Sequence, residues 1–390
     1  MNQATTQKVS RTVRDRRLRV GLLSPWASRL GGGVFEAVVA HAAMLCAAGA
    51  DPVIFALEDL HSADDRSRFD GIPVQLGRTL GPSQIGYSPD LGRKLAAADI
   101  DLLHLHGIWM ATSHLAERWA AVTRRPYVIS PHGMLDPWIT QRGQAKKAIA
   151  RLGYEHRSWR RANLFHALTR AEAADIQRET GNDAIAVIPN AVDAHLYDNE
   201  GRDSATARIV YLGRIHPKKN IDGLIDAWQI LVKQRGPAAP QLTIAGWGDP
   251  IHVAALQARI DLVLDSRLSF TGPVYGDAKR ALIGSATALA LPSHSEGLPM
   301  VILESWASGI PVAMSQHCNL PVGFTSGAAI DSGVDAHSIA AALAVLLDES
   351  GAARQRRRAA ARDLATQCFS PQIVSEQWMA AYHRILERNS

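Results

Sequence analysis

Residues 288–313, ALALPSHSEGLPMVILESWASGIPVA, read as a strand, a loop, a helix and the start of a second strand. TALALPS, which begins at Thr287, is a short apolar run closed by proline and serine, and SHSEG is a loop of small and polar residues. Pro299 suits the first turn of a helix, where its missing N–H has no partner to lose. PVAMS then forms the next strand. Strands that are apolar on both faces and separated by helices belong to parallel sheets covered on each side. The same stretch holds two acids, Glu296 on the loop and Glu304 on the second helical turn, with seven residues between them. Glu304 shares a helix face with Val301 and Met300, three and four residues before it. Two carboxylates in a segment otherwise fit for a protein interior require partners.

Working outward, the same alternation runs along the whole chain. One series of strands is RVGLLS, PVIFAL, LLHLHG, YVISPHG, LFHALT and IAVIPN; a second is RIVYLGR, LTIAGWG, LSFTGPV, TALALPS, PVAMS and AAIDS. The polar stretch DAHLYDNEGRDSATA joins them. This predicts two doubly wound α/β domains, 18–192 and 207–368, joined by a linker at 193–206. A basic tail at 1–17 precedes them, and a final helix at 369–390 carries Trp378 and Tyr382. A chain of 390 residues exceeds one ordinary core, which agrees with two domains. In open parallel sheets a ligand sits beyond the carboxyl ends of the strands. Those ends carry Ser24, His106, His132, Thr169 and Asn190 in the first half, and Gly213, Arg214, Gly246, Gly248, Gly272 and Ser293 in the second. A cleft between two facing domains is the architecture this implies.

Two segments look suited to phosphate. RLGGGVFEAVVAHAAML (29–45) follows the first strand and opens a helix; its glycines allow close backbone approach, and helix-start N–H groups attract anions. Its spacing is not GxGxxG, which argues against a nicotinamide dehydrogenase. In YLGRIHPKKN (211–220) Arg214 leaves a strand and Lys219 follows across a turn holding Pro217. Two cations at a sheet's carboxyl edge suit a diphosphate, arginine being able to hold two oxygens at once. A solvated surface turn is the alternative reading.

Apolar residues make up 47% and charged residues 20% of the chain, a globular composition. Cys46, Cys318 and Cys368 lie far apart and form no CxxC pair, against a disulfide framework or zinc site and in keeping with a reducing compartment. The polar, basic start carries no signal core, and VVAHAAMLCAAGA falls short of the roughly 18 residues of a membrane span. A cytoplasmic protein is expected. The net charge of +5 is concentrated: residues 142–161 hold seven Lys/Arg and a single acid, Glu155. Such a segment suits an anionic membrane surface or a phosphorylated ligand, whereas nucleic-acid binding lacks an accompanying motif.

Taken together these segments resemble the retaining glycosyltransferases of family four, which have the two-Rossmann GT-B fold; the resemblance implies that the final helix, 369–390, crosses back to the first domain. HSEGLPMVILE is similar to that family's Glu-x7-Glu motif, and GGGVFEAVVAHAAMLCAAGADPVIFAL to its opening loop, helix and second strand. DLLHLHGIW and VISPHGMLDPW resemble its acceptor-domain signatures, VIPNAVD the approach to the linker, and GRIHPKKNIDGLIDAW its diphosphate site. FTGPVYGDAKRALIGSATALALPS resembles the lead into the double-glutamate motif. The resemblance implies a donor site of Gly32, Gly33, Arg214, Lys219, Glu296, Leu298 and Glu304. Gly32 and Gly33 would give N–H groups to a diphosphate also held by Arg214 and Lys219; Glu296 would bind the transferred sugar and Glu304 the ribose. His132 would stand near the reacting carbon, giving a catalytic set of His132, Glu296, Arg214 and Lys219, with His106 on the acceptor side. Asn220 stands where many members have glycine, which leaves the shape of that turn open.

The implied reaction moves a hexose from GDP-mannose or a UDP-hexose to a glycan or polyprenyl-diphosphate-linked acceptor, with retention, in cell-surface polysaccharide assembly. No metal or other cofactor is expected, there being no DxD-like cluster in the cleft segments. Retention by double displacement needs a carboxylate nucleophile about 5 Å from its acid partner; the resemblance instead places the two glutamates on hydroxyls and implies front-face attack. A glycosidase would leave Arg214 and Lys219 without a role. A sugar-nucleotide epimerase of related fold and a non-catalytic nucleotide-sugar-binding subunit are the remaining alternatives.

Overall fold

The computed structural model describes residues 16–140, 144–192 and 207–389. Its contacts divide the chain into two units, Met1–Ile188 with Ser375–Ser390, and Pro189–Val374. The expected linker, 193–206, and most of the expected tail lie outside the described residues. Arg16 and Arg17, read as tail, are tied to the first unit: Arg16 pairs with Asp99 at 3.0 Å and with Asp101, and Arg17 with Asp51 at 3.7 Å.

The first unit is built on a parallel sheet of β1 (Arg19–Trp26), β2 (Asp51–Leu57), β3 (Val74–Gly77), β4 (Leu102–His106), β5 (Tyr127–Ser130), β6 (Leu164–Ala167) and β7 (Ile185–Val187). Their spatial order is β3-β2-β1-β4-β5-β6-β7. The second unit repeats the plan with β8 (Arg208–Leu212), β9 (Gln241–Ala245), β10 (Leu268–Phe270), β11 (Ala288–Leu291), β12 (Val312–Met314) and β13 (Ala329–Asp331), in the order β10-β9-β8-β11-β12-β13. In each sheet the chain winds outward from its first strand, then returns to that strand's other side. The point of reversal, β1/β4 or β8/β11, leaves a crevice at the carboxyl ends.

The central strands are buried on both faces, as their apolar runs required: β4, β5 and β11 are covered at every residue. β3 was not expected. It is a four-residue edge strand paired only to β2, too short to show a period, and it is fixed by helix Pro89–Ala97 closing over it. A Cβ on Gly77 would lie 2.4 Å from Leu91 Cβ.

The chain ends in two helices, Gly351–Phe369 and Pro371–Asn389, broken at the extended Ser370. The second one returns to the first unit, burying Trp378 and Tyr382 against the histidines of β4 and β6. The division falls after Val374, six residues later than the expected boundary after 368.

Candidate functional site

In the second unit the crevice at β8/β11 is a pocket of about 260 Å³ that contains Arg214, Lys219, Glu296 and Glu304. Glycine shapes its floor. Gly213 N–H donates to Ala245 O and Ile215 N–H to Trp247 O (2.7 Å), so the loops after β8 and β9 run backbone to backbone. A Cβ on Gly246 would sit 1.7 Å from Gly213 O, and one on Gly248 2.3 Å from Ile215 O. Only glycine fits there. Trp247, held between them, is half exposed and lies 5.5 Å from the Arg214 guanidinium, a cation–π shelf under a side chain that makes no ion pair among the described residues.

The turn after β8 explains Asn220. Residues Pro217–Lys219 form one 3-10 turn, and Asn220 closes it at φ 57°, ψ 40°. Glycine enters this left-handed region without cost; asparagine is among the few other residues that do so readily. Here its amide also donates to Pro292 O (3.1 Å) and Val334 O (2.8 Å), binding the turn to the strand end before Glu296.

Both glutamates have partners, and the partners are lysines. Lys219 Nζ donates to both Glu296 oxygens at 2.5 Å, and Ser293 Oγ–H reaches one of them at 2.7 Å. Lys219, expected beside Arg214 at a diphosphate, also supplies the counter-charge that the burial of Glu296 demands. Glu304 receives Lys279 at 2.5 Å on one oxygen, while its Oε2 is buried with no hydrogen-bond partner. The helix Met300–Ala307 begins one residue later than expected, with Pro299 as its N-cap. The N–H groups of Met300 and Val301, beside the pocket, have no intrahelical acceptor. Leu298 stands between Glu296 and Pro299 of the pocket wall, and its side chain packs on the core. An apolar side chain on a short loop over a large core is drawn inward by burial.

In the first unit the crevice at β1/β4 holds the glycine loop and the histidines. Gly32 has φ 52° and ψ −128°, and its N–H donates to Arg29 O at 3.1 Å. It is thus not a free donor for a phosphate, a correction to the expected role, since closing the 3-10 turn Arg29–Gly31 takes its proton. Gly33 opens the helix Gly33–Ala47 and keeps a helix-start N–H; a Cβ on either glycine would meet nothing within 4 Å.

His132 follows β5 at φ 54°, with Gly133 next at φ 74°, a sharp and strained turn. Glu172, buried on the helix Arg170–Thr180, accepts Gly133 N–H (2.6 Å) and Leu168 N–H (2.8 Å), fixing that turn; burial raises its own pKa. His132 Nε2 is 2.9 Å from His106 Nδ1. Beneath lie His41, His104 and His166, which the sequence reading did not single out because they come from a helix and two strands far apart in the chain. Burial lowers all five histidines, His41 and His132 to about 3 and His166 to about 4. His41, His104 and His106 approach closely enough to frame a metal ion. His104, however, uses both ring nitrogens, on Tyr382 OH (2.7 Å) and Ser130 Oγ (2.6 Å), so a metal would have to displace one of them.

The basic segment proves partly structural. Lys147 and Arg151 lie 5.7 and 5.5 Å from the Trp109 ring, and Arg157 and Arg161 approach the buried Glu117 at 3.4 and 3.3 Å. Arg142 lies outside the described residues. Glu155, its single acid, ends the π-turn Arg151–Glu155 fully buried, and burial pushes it up to about 7. Its Oε1 accepts Trp109 N–H at 2.5 Å while Tyr154 OH donates to Trp109 O at 3.1 Å. The two side chains hold Trp109 at φ 75°, a strained residue kept in place by its surroundings.

Residues 32–191 match the family described as Glycosyl transferase 4-like domain, and residues 206–349 match Glycosyl transferases group 1. The two matches fall almost wholly one on each unit. Among curated proteins, glycogen synthase of Mycobacterium tuberculosis is 34% identical over 205 residues, 51% of this chain and 48% of that protein. The D-inositol 3-phosphate glycosyltransferase of Salinispora tropica is 29% identical over 301 residues, 68% of this chain and 61% of that one. The matches span about half to three-fifths of those relatives' lengths. Among solved structures HepE of Anabaena, in complex with UDP and glucose, superposes with a TM-score of 0.72 at 18% identity, covering 94% of this chain and 100% of HepE. Identity that low speaks to the fold alone.

Proposed function

We propose that the chain is a retaining hexosyltransferase that moves a sugar from a nucleotide-diphosphate donor to an acceptor hydroxyl. One observation carries this reading: a single pocket holds two lysine-paired carboxylates, one with a buried oxygen, Glu304 Oε2, that lacks a hydrogen-bond donor. The hydroxyls of a ribose are suitable donors. Glu296 then meets the transferred sugar; Arg214, Lys219 and the N–H groups of Met300 and Val301 meet the diphosphate. Negative charge grows there as the bond to the sugar breaks, and fixed donors aimed at developing charge are the strongest electrostatic device available to such a site.

Front-face attack, with the departing phosphate taking the acceptor's proton, needs neither a carboxylate nucleophile nor a metal. His132, in the first unit, is assigned to the sugar near the reacting carbon, and Gly33 rather than Gly32 to the phosphate. The UDP and glucose in HepE favour a UDP-hexose, with GDP-mannose as the second candidate. For the acceptor, the loops after β1, β2 and β3 expose Leu30, Leu60, Leu80 and Tyr87, which suits a lipid-linked saccharide better than a free one. Ile149 and Leu152 are exposed between the basic side chains of 142–161, a pattern that suits peripheral contact with anionic lipid at the cytoplasmic face. No helix among the described residues is long and apolar enough to cross a membrane.

A thermal-shift series with UDP, GDP and ADP sugars tests donor binding, since a ligand of the native state raises Tm. Turnover against polyprenyl-diphosphate and free glycan acceptors then tests transfer. Binding without turnover on any acceptor leaves a nucleotide-sugar-binding subunit; a glycosyl adduct trapped on a glutamate overturns front-face attack.

A further inference from the structure

We infer that His106 is a positioning residue that sets the tautomer of His132: His106 Nδ1–H donates to His132 Nε2, so His132 keeps its proton on Nδ1 and faces the sugar as a hydrogen-bond donor, not a base. The second half rests on the reading of His132 given above; the tautomer itself does not.

Burial keeps each of the five histidines neutral, so each carries one ring proton. For three of them its place follows from a carbonyl that can only accept. His166 Nε2 is 2.7 Å from Ile188 O and must hold the proton. His166 Nδ1 is then an acceptor, and Ser130 Oγ–H, at 2.6 Å, donates to it. Ser130 Oγ accepts in turn from His104 Nε2–H (2.6 Å), and His104 Nδ1 takes the Tyr382 hydroxyl proton (2.7 Å). Tyr382 O accepts His41 Nε2–H at 3.1 Å. Every donor in this chain points one way, and none is left for His106.

His106 lies stacked on His104, ring centroids 4.2 Å apart, outside the chain of hydrogen bonds. Its Nδ1 meets His132 Nε2 at 2.9 Å, and its Nε2 is buried without a partner. A proton on Nε2 would bury an N–H with no acceptor; a proton on Nδ1 is used at once. Orphaned N–H groups are the rarer and costlier defect, so the proton belongs on Nδ1. The other ring nitrogen of a histidine is set by the bond the first one makes, which leaves His132 protonated at Nδ1. His132 Nε2 is occupied and cannot collect the acceptor's proton, in keeping with its transfer to the departing diphosphate.

The direct measurement is nitrogen-15 NMR of histidine-labelled full-length protein at pH 7. His132 should show a protonated Nδ1 and an unprotonated Nε2; the opposite pattern overturns the proposal whatever reaction the protein performs. His106→Asn keeps an N–H donor near the Nδ1 position, whereas His106→Leu removes it. We expect His106→Leu to mix the two His132 tautomers and lower kcat about tenfold, the scale of one neutral hydrogen bond, with donor KM little changed. His106→Asn should restore both the tautomer and most of kcat. An unmixed His132 signal in folded His106→Leu also sinks the idea. A preserved tautomer pattern with no transferase activity in the wild type would instead refute only the functional reading.

Discussion

The two units solve the same problem, ionisable side chains at a sheet's carboxyl edge, in opposite ways. The second unit keeps its charges and pairs them, lysine on glutamate, at Lys219–Glu296 and Lys279–Glu304. The first removes charge: burial lowers the pKa of five histidines, and a directed chain of hydrogen bonds satisfies five of their ten ring nitrogens. Paired charges suit a pocket that must meet an anion. Neutral imidazoles suit a wall that, on the proposed reading, orients a sugar without competing for protons. The comparison also implies different failures, since a broken buried pair leaves an uncompensated charge whereas a protonated histidine reverses a donor.

The largest effect should come from breaking the tighter pair. Lys219→Met should lower kcat by about 10²–10³-fold and, by stranding Glu296, reduce unfolding free energy by about 3–5 kcal/mol. Adding Glu296→Gln should recover stability but not activity; a single variant as stable as wild type would falsify the idea that the pair is structural. The histidine wall should respond to acid. Each folded-state pKa lies below the ordinary 6.5, so the unfolded chain binds more protons, and the stability present above pH 6.5 is lost as pH falls toward 4 and 3. For His166 alone, lowered from 6.5 to about 4, the loss by pH 4 is roughly 3 kcal/mol. Hydrogen exchange at pH 7 and 4.5 should show the amides of β4–β6 losing protection before those of β8–β12; equal loss in both units contradicts the contrast.

Tyr382→Phe removes the hydroxyl between His41 and His104 and should cost about 1–3 kcal/mol, read as faster exchange in the first unit only. Lys279→Met leaves Glu304 without its partner and should weaken nucleotide-sugar binding about tenfold with kcat nearly unchanged; calorimetric titration against wild type measures it. Trp247→Ala removes only the shelf under Arg214, worth about 0.5–1 kcal/mol at an exposed site. A few-fold rise in donor Kd is expected, the smallest change of the series.

Much of this was legible in the order of residues. Strands apolar on both faces gave parallel sheets, and the Glu296–Glu304 spacing put both acids at one pocket. Other features had no local signal. Lys279 reads as one of two basic residues on a helix surface and gains its role only where helix Gly276–Gly284 meets the helix bearing Glu304. Gly32 looks like a phosphate donor until the turn takes its N–H. Asn220 departs from an expected glycine, and the left-handed backbone shows why the substitution is tolerated. β3 was missed because four residues carry no period, and the inward direction of the Leu298 side chain has no local signal because a loop leucine has no fixed direction.

The sequence by itself determined the two doubly wound sheets and which strand ends carry chemistry, because hydrophobic period and glycine placement are properties of neighbouring residues. Tertiary structure alone decided that the glutamates are held by lysines, that Tyr382 from the last helix reaches His104, and that histidines from distant segments share one hydrogen-bonded wall. Charge pairing and hydrogen-bond direction are set by distance in space, and residues hundreds of positions apart meet only once the chain has folded.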